Sequence, residues 1–409
     1  KFDEKGEWAL PHGEWLLPPL MELNPAIIAR AIAARVARFH TSTAIRDRLA
    51  LFADQERALE AARAPLQRLP WFCPGCPHNA STRVPEGSIA LAGVGCHLMA
   101  MWMGRNTQTV SHMGGEGMAW AGARRFSDTP HVFANMGDGT YFHSGSLAIR
   151  AAVAANVPIT YKLLYNDAVA MTGGQPVEGR MTVPQLARQL ADEGVERIVI
   201  ISEEPERYHG ASAAPPGVPV VARDALDRVQ RELRDWSIKR PGVSALIYDQ
   251  TCAAEKRRRR RRGTYPDPAR WVWIDPEVCE NCGDCAVKSN CLAIVPVETP
   301  LGTRRAIDLH ACNKDYTCLE GFCPALVTVE GGKPRKPQAT SIDVERLPPL
   351  TDPALPDCSA AFGILIAGVG GTGVVTVGAL LAMAAHLEGK SATVLDQAGL
   401  SQKGGAVSS

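Results

Sequence analysis

The chain has 409 residues, 45% of them hydrophobic and 21% charged, enough to bury several cores in roughly two to four domains. A net charge of +1 excludes a generally basic nucleic-acid binder and an acidic tail protein. No run of ~18 apolar residues lacks a charge or a turn former, and no signal-like segment opens the chain, so no membrane is expected and a cytoplasmic protein is. The chain begins at Lys1 and stops at Ser409, a few residues after a Gly-Gly pair, and reads as a piece of something longer.

Residues 1–70 read as a connector. Asn24 and Pro25 form a helix start, with Asn as the cap and Pro at the first helical position. Ile28, Ile32, Val36 and Phe39 then recur on one face, and a second charged amphipathic helix is predicted over 45–66. Both read as packing elements. From Trp71 to about Glu255, strand-like runs alternate with helical stretches. The runs are Ser88–Val94, His131–Met136, Ile159–Tyr165, Arg197–Ser202 and Ser244–Tyr248. Such alternation predicts an α/β fold with a parallel sheet covered on both faces.

The strand over 131–136 ends in Gly137, Asp138 and Gly139, and the strand over 159–165 ends at Asn166 and Asp167. A right-handed crossover puts both C-termini on one sheet edge, where open α/β sheets bind ligands. Asp138 and Asn166 then face one small volume, and Gly137 and Gly139 let backbone approach a ligand closely. A carboxylate, an amide oxygen and a backbone carbonyl suit a hard cation such as Mg²⁺, which often bridges to phosphates.

Twelve cysteines are unevenly placed, and gaps of two to five residues favour metal or iron–sulfur ligation over disulfides. Cys96 and Cys252 follow strands that end on the same edge, and Cys73 with Cys76 brings the number to four thiolates. Four thiolates fit a structural Zn²⁺ or a [4Fe–4S] cluster, and spacing does not separate these. Taken singly, Cys96 and Cys252 also fit buried free thiols. The basic run Lys256–Arg262 reads either as a solvated surface loop or as a seat for an acidic partner or polyanionic cofactor.

The cysteine-dense segment, roughly Asp267 to Val329, carries Cys279-x2-Cys282-x2-Cys285-x5-Cys291, then Cys312, Cys318 and Cys323-Pro324. In two-cluster ferredoxins the fourth cysteine of each run ligates the other cluster. Cys279, Cys282, Cys285 and Cys323 then hold one cluster, and Cys291, Cys312 and Cys318 supply three ligands to a second. Asp315 sits where the middle cysteine belongs, so that cluster is either [4Fe–4S] with Asp315 as oxygen ligand or [3Fe–4S]. A zinc ribbon is the alternative. A Pro-rich stretch follows, and then Gly368-Val-Gly370-Gly-Thr-Gly373 between a strand over Gly363–Ala367 and a helix, with Asp396 closing the next strand. That pattern satisfies a dinucleotide fingerprint, and it equally serves a close helix–strand turn.

Together these pieces resemble the thiamine-diphosphate-dependent 2-oxoacid:ferredoxin oxidoreductases, and most closely the fused indolepyruvate type. The likeness is carried by Trp71-Phe-Cys-Pro-Gly-Cys76, Gly93-Val-Gly95-Cys96, Gly137-Asp-Gly139, Asn166 through Thr172-Gly173-Gly-Gln175, and Asp249-Gln-Thr-Cys252. It covers nearly the whole chain. By this resemblance Asp138, Asn166 and the Ala168 carbonyl hold Mg²⁺ on thiamine diphosphate, with Gly95, Gly137, Gly139, Thr172 and Gly173 in the cofactor cradle. Cys73, Cys76, Cys96 and Cys252 hold a proximal [4Fe–4S] cluster. Pro77 departs from the glycine that many relatives carry there.

The implied architecture is a helical connector (1–70), a thiamine-diphosphate-binding parallel-sheet domain (71–262) and a two-cluster ferredoxin-like domain (263–332). A Pro-rich linker (333–360) and the start of a Rossmann-like gamma-type domain (361–409) complete it. The last domain is not one known for nicotinamide chemistry. The implied reaction converts a 2-oxoacid, such as indolepyruvate or another aryl pyruvate, to acyl-CoA and CO₂, with electrons passing to ferredoxin. A homo-oligomer of a longer fused chain is expected, missing here a companion thiamine-binding domain and the rest of the gamma-type domain. The alternatives are a non-oxidative thiamine-diphosphate decarboxylase or carboligase, and a non-catalytic electron-transfer component.

Overall fold

The structure is a computed structural model that describes residues 17, 23–61, 69–179, 181–332, 351–352, 359–398 and 406–409. Most of the Pro-rich stretch over 333–360, Cys358 included, lies outside the described residues. The chain divides into two compact units, residues 1–69 and 70–409.

The first unit is a pair of helices, α1 (Pro25–Val36) and α2 (Thr43–Ala61). Asn24 caps α1, its side-chain oxygen accepting from the Ile27 amide at 2.9 Å. Arg30 and Glu56 pair across the two helices. The apolar stripe of α1 is more open than a packing face: Ile32 is 58% and Phe39 91% exposed. Two helices that meet each other cover only one side apiece. Ile32 and Val36 therefore line an apolar cleft with Ile45, Leu49 and Phe52 instead of a closed core.

In the second unit α3 (Pro77–Ser81) leaves the Cys73–Cys76 loop and leads to β1 (Ile89–Ala92), β2 (Thr107–Val110), α4 (Met118–Ala123) and β3 (Val132–Gly137). Next, α5 (Asp138–Thr140) runs through a π-helical turn, Tyr141–Gly145, into α6 (Ser146–Ala154). β4 (Ile159–Tyr165), α7 (Val183–Asp192), β5 (Arg197–Ser202), β6 (Val220–Ala222), α8 (Leu226–Lys239), β7 (Val243–Asp249) and α9 (Ala253–Arg261) complete the sheet region. The sheet has seven strands in the order β2-β1-β3-β4-β7-β5-β6, every pair parallel. β4 and β7 are buried at every residue, because apolar runs in the middle of such a sheet are covered on both faces. Val132, Met136, Ile159, Tyr161 and Leu163 pack with Ile149, Leu186 and Leu190 on one face; Leu164, Leu246 and Tyr248 pack with Val229 and Leu233 on the other. The α/β fold is as expected, with two further strands. β2 reads Thr-Gln-Thr-Val and β6 is three residues long, so neither edge strand carries an apolar run.

The cysteine-dense segment contributes β8 (Arg270–Ile274), α10 (Asp284–Ser289), β9 (Ile294–Thr299), β10 (Gly302–Ile307) and β11 (Leu326–Glu330). β8 pairs antiparallel with β11 and β9 with β10, around a core of Val272, Ile274, Ile307 and Ala325 with Cys279 and Cys285.

The last segment holds β12 (Ala367–Val369), α11 (Val374–Leu387), β13 (Gln397–Ala398) and β14 (Ala406–Ser408). Here the sequence expectation is corrected. The strand expected to close at Asp396 does not form: residues 391–396 carry no ladder, and β13 follows them. β14 lies antiparallel between β12 and β13, so the two are not the parallel neighbours that a dinucleotide fingerprint requires. No described helix is long and apolar enough to cross a membrane.

Candidate functional site

The C-terminal ends of β1, β3, β4 and β7 open on a cavity of about 170 Å³. It is lined by Gly95, Gly137, Asp138, Gly139, Asn166, Ala168 and Thr172, together with Cys76, Cys96 and Cys252. Gly173 is not among its lining residues; its carbonyl accepts from Arg258 at 3.0 Å.

Asp138 organises this edge. Its buried carboxylate accepts from the Gly139 amide at 2.8 Å and from the Asn166 and Asp167 amides at 3.0 Å each. The loop after β4 is thereby tied to the end of β3. Asn166 closes the next turn, its side-chain oxygen accepting from the Ala168 amide at 3.1 Å. Burial pushes the Asp138 carboxyl up to about 6, while the three amides pull it down. A divalent cation against that oxygen would offset the burial cost. A Cβ added at Gly137 would meet nothing within 4 Å, so open space is left beside the carboxylate. The donor set and the space fit a hard cation carrying a phosphate.

Cys73 and Cys76 flank a tight turn, the Cys76 amide donating to the Cys73 carbonyl at 3.0 Å, and Cys76 starts α3. The buried Lys162 of β4 fixes the far end of that helix, donating to the Ser81 carbonyl and to Gln230. Cys252 is placed by its own amide, which donates to the Asn166 carbonyl at 3.0 Å. Burial pushes the Cys96 thiol up to about 12, with Cys252 and Cys73 adding repulsion. Cys76 moves the same way for the same reasons, with Cys96, Cys73 and Cys252 as its charged neighbours. Cys76 and Cys96, raised by burial and by the neighbouring sulfurs, need a cationic centre close by to ionise. That chemistry fits iron or zinc.

Two histidines escaped the sequence reading. The Gly93 amide donates to His97 Nε2 at 3.1 Å, and burial drives the ring down to about 4, so it stays neutral beside Cys96. His78 Nε2 reaches the Gln250 carbonyl at 2.6 Å, and burial likewise lowers it to about 4. Both line the cavity, as do Met113 and Met171. The available signal was adjacency: His97 follows Cys96 directly, and His78 lies two residues past Cys76.

In the cysteine-dense segment the thiols fall into two sets. Cys285 has Cys323, Cys279 and Cys282 as its charged neighbours, and burial raises it. Cys318 has Cys312 and Cys291, and burial raises it to about 12. Cys291, Cys312 and Cys318 line a second, smaller cavity of about 30 Å³ with Asp315, Gly75 and Cys76. Backbone amides donate to sulfur: Asn281 to Cys279 at 3.4 Å, Gly75 to Cys291 at 3.2 Å, Ala293 to Cys291 at 3.4 Å and Lys314 to Cys312 at 3.5 Å. Asp315 gives both carboxylate oxygens to Arg223, at 2.6 and 2.8 Å. Among the described residues no group of three or more His, Cys, Asp or Glu side chains already surrounds a single metal position.

The basic run is a helix, and much of it is engaged internally. Lys256 pairs with Glu203, Arg258 with Glu255 and Arg259 with Asp167. Arg257 donates to the Ala311 and Cys312 carbonyls, and Arg260 to the Asn313 and Pro266 carbonyls. The reading as a solvated loop is therefore corrected: α9 ties the loop after β4 to the second cysteine set. Arg261 and Arg262 remain exposed and line a cleft of about 440 Å³ with Arg257, Arg258 and Cys73.

Comparison with known proteins agrees with this layout. Residues 93–235 match the family described as thiamine pyrophosphate enzyme, C-terminal TPP binding domain. Residues 363–409 match pyruvate ferredoxin/flavodoxin oxidoreductase. The indolepyruvate oxidoreductase subunit IorA of Methanothermobacter marburgensis is 26% identical over 78% of this chain and 46% of its own length. Its counterpart in Thermococcus kodakarensis is 25% identical over 67% of this chain and 47% of its own length. The chain thus spans about half the length of the curated relatives it matches. Among solved structures, a 2-oxoglutarate:ferredoxin oxidoreductase from Magnetococcus marinus aligns at a TM-score of 0.34 and 16% identity, over 50% of this chain and 68% of that one. The fold and the matched segment define a thiamine-diphosphate enzyme domain. Over these segments the chain is similar to thiamine-diphosphate enzymes, to pyruvate ferredoxin/flavodoxin oxidoreductases and to the indolepyruvate oxidoreductase subunit IorA.

Proposed function

We propose that this chain supplies the diphosphate half of a thiamine-diphosphate site and an iron–sulfur relay, for oxidative decarboxylation of a 2-oxoacid to acyl-CoA and CO₂. The observation that carries the reading is the shared sheet edge. Asp138, Asn166 and Ala168 line one cavity with Cys76, Cys96 and Cys252, so an oxygen site and a thiol site lie side by side. Thiamine diphosphate, when bound, supplies the electron sink that a departing CO₂ requires. Asp138, the Asn166 side chain and the Ala168 carbonyl would hold Mg²⁺ on its diphosphate, with Gly95, Gly137, Gly139 and Thr172 lining the space around it.

Cys73, Cys76, Cys96 and Cys252 would hold a proximal [4Fe–4S] cluster, and Cys279, Cys282, Cys285 and Cys323 another. Cys291, Cys312 and Cys318 would hold a third. A sulfide-bridged cluster spans separated thiolates better than one tetrahedral ion does, which favours iron over zinc. Gly75 and Cys76 line the cavity of the third set, and this supports a direct step from the first set to it. The cavity at the sheet edge is smaller than the ~300–1,000 Å³ of most ligand sites. That supports a second wall, with the remaining cofactor contacts, coming from a companion domain. The exposed arginines beside Cys73 suit an acidic electron acceptor such as ferredoxin. The names of the relatives favour indolepyruvate as substrate; a fused, cytoplasmic, homo-oligomeric enzyme completes the proposal.

The test is anaerobic reduction of a viologen dye by the complete native protein with thiamine diphosphate and Mg²⁺. Indolepyruvate, pyruvate and 2-oxoglutarate are offered in turn, with and without CoA. Reduction that needs both a 2-oxoacid and CoA is expected, fastest with indolepyruvate. Aldehyde formation without dye reduction would overturn the reading in favour of a non-oxidative decarboxylase.

A further inference from the structure

Resting on the iron–sulfur reading above, we propose that Cys291, Cys312 and Cys318 hold a three-iron centre, and that Arg223 keeps its fourth corner empty by holding Asp315. The spacing places Asp315 between Cys312 and Cys318, where a middle ligand belongs. A carboxylate there takes iron by aiming a lone pair at the open corner. Both oxygens are instead turned to Arg223. Oδ1 accepts from Arg223 Nη1 at 2.6 Å and Oδ2 from Nη2 at 2.8 Å, and the Thr317 hydroxyl also donates to Oδ2. Arg223 Nη2 donates to Thr317 Oγ1 at 2.6 Å, which closes the arrangement.

The pair is also hard to open. The Asp315 and Arg223 side chains are 9% and 16% exposed. A bidentate fork withdrawn from water is among the strongest side-chain contacts, and parting it strands a buried charge. Arg223 Nε is itself buried without a hydrogen-bond partner, so the contacts of the two terminal nitrogens carry much of the compensation for burying the guanidinium. Gly75 also packs closely here: a Cβ on it would lie 3.0 Å from that of Asn313 and 3.3 Å from that of Asp315. Arg223 directly follows β6 of the sheet, so the same contact fastens the cysteine-dense segment to the sheet region. Asp315 is thus a positioning residue, standing in a ligand's place without acting as one.

The experiment is an iron count with electron paramagnetic resonance of the air-free, dye-oxidised complete protein, as wild type, Asp315→Asn and Asp315→Cys. An oxidised three-iron cluster is paramagnetic and an oxidised four-iron cluster is not. Wild type is expected to give about one such spin and about eleven irons per chain. Asp315→Asn keeps one of the two acceptors toward Arg223, offers iron no carboxylate, and is expected to leave the signal unchanged. Asp315→Cys, reconstituted with iron and sulfide, is expected to lose the signal and reach about twelve irons. A silent wild type with about twelve irons, in which Asp315→Asn creates the signal, would show Asp315 to be a ligand and overturn the proposal. Protein that takes up no iron would overturn the iron–sulfur reading and this inference with it.

Discussion

The Gly75 amide donates to the Cys291 sulfur at 3.2 Å, joining the turn between Cys73 and Cys76 to a cysteine 216 positions later. The contact is possible because Gly75 adopts φ +61°, a left-handed conformation that turns its N–H outward, and because no side chain intervenes. Hydrogen bonds to sulfur are one of the protein's means of setting a cluster's potential, so this amide would both tune and connect two redox sites.

Gly75→Ala is predicted to separate the two sites. The added Cβ would lie 3.0 Å from that of Asn313, and a non-glycine residue at this φ carries roughly 1–3 kcal/mol of strain. Electron delivery to an external dye should slow at least severalfold, while calorimetric affinity for thiamine diphosphate stays near wild type. Equal losses in both would mean the loop supports the fold as a whole.

Asp138→Ala is predicted to weaken binding of Mg²⁺–thiamine diphosphate by about 10- to 100-fold, the loss of one charge-assisted contact worth about 1.5–3 kcal/mol. The same carboxylate accepts from the Asn166 and Asp167 amides, so the loop after β4 should also become more open to hydrogen exchange. Titration calorimetry and exchange at residues 166–168 would read the two effects separately. Unchanged affinity would remove Asp138 from the cation site.

The sheet edge was legible because it rests on short-range rules. Gly137-Asp138-Gly139 and Asn166 follow apolar runs that can only be central parallel strands, and the topology then brings them together. Spacing also suggested the grouping of the thiols, and the neighbours of Cys285 and Cys318 are consistent with it. What stayed hidden depends on pairs far apart in sequence. Nothing local shows that Asp315 meets Arg223, 92 positions earlier, or that Arg257 and Arg260 reach carbonyls 53 to 55 positions ahead. A block of arginines looks alike in solvent and inside a seam. The strand expected to end at Asp396 failed for a related reason: a strand exists through its neighbour, and β14 took the neighbouring place.

His131 provides a pH prediction away from the cavity. It is buried at the start of β3, with Nε2 2.8 Å from Thr160 Oγ1, which in turn lies 2.8 Å from Ser244 Oγ. Burial, helped by Arg234, lowers its pKa to about 3. The unfolded chain takes up this proton near the ordinary histidine value of 6.5. Between those values the unfolded state binds more protons, so stability is full above about pH 6.5 and falls as pH drops toward 3. The loss from this one residue is on the order of 3–5 kcal/mol at full protonation. His131→Phe should flatten the pH dependence of urea unfolding between pH 6.5 and 4 relative to wild type. Parallel curves would assign the acid sensitivity to other groups.

Arg257 gives the proposed iron–sulfur relay a test through charge. Its guanidinium donates to the carbonyls of Ala311 and Cys312, so a full positive charge sits beside the thiol set of Cys291, Cys312 and Cys318. Reduction adds negative charge to a cluster, and a neighbouring cation stabilises the reduced form more than the oxidised one. Arg257→Gln keeps a side-chain donor toward those carbonyls and removes the charge. The midpoint potential of that cluster should therefore become more negative, by tens of millivolts for one charge at close range in an effective dielectric of about 20. The set of Cys279, Cys282, Cys285 and Cys323 has no such contact from Arg257 and should shift less. Potentiometric titration followed by electron paramagnetic resonance would resolve the two. A shift of equal size in both would point to a general loosening of the segment, and no shift in either would mean solvent already screens the guanidinium.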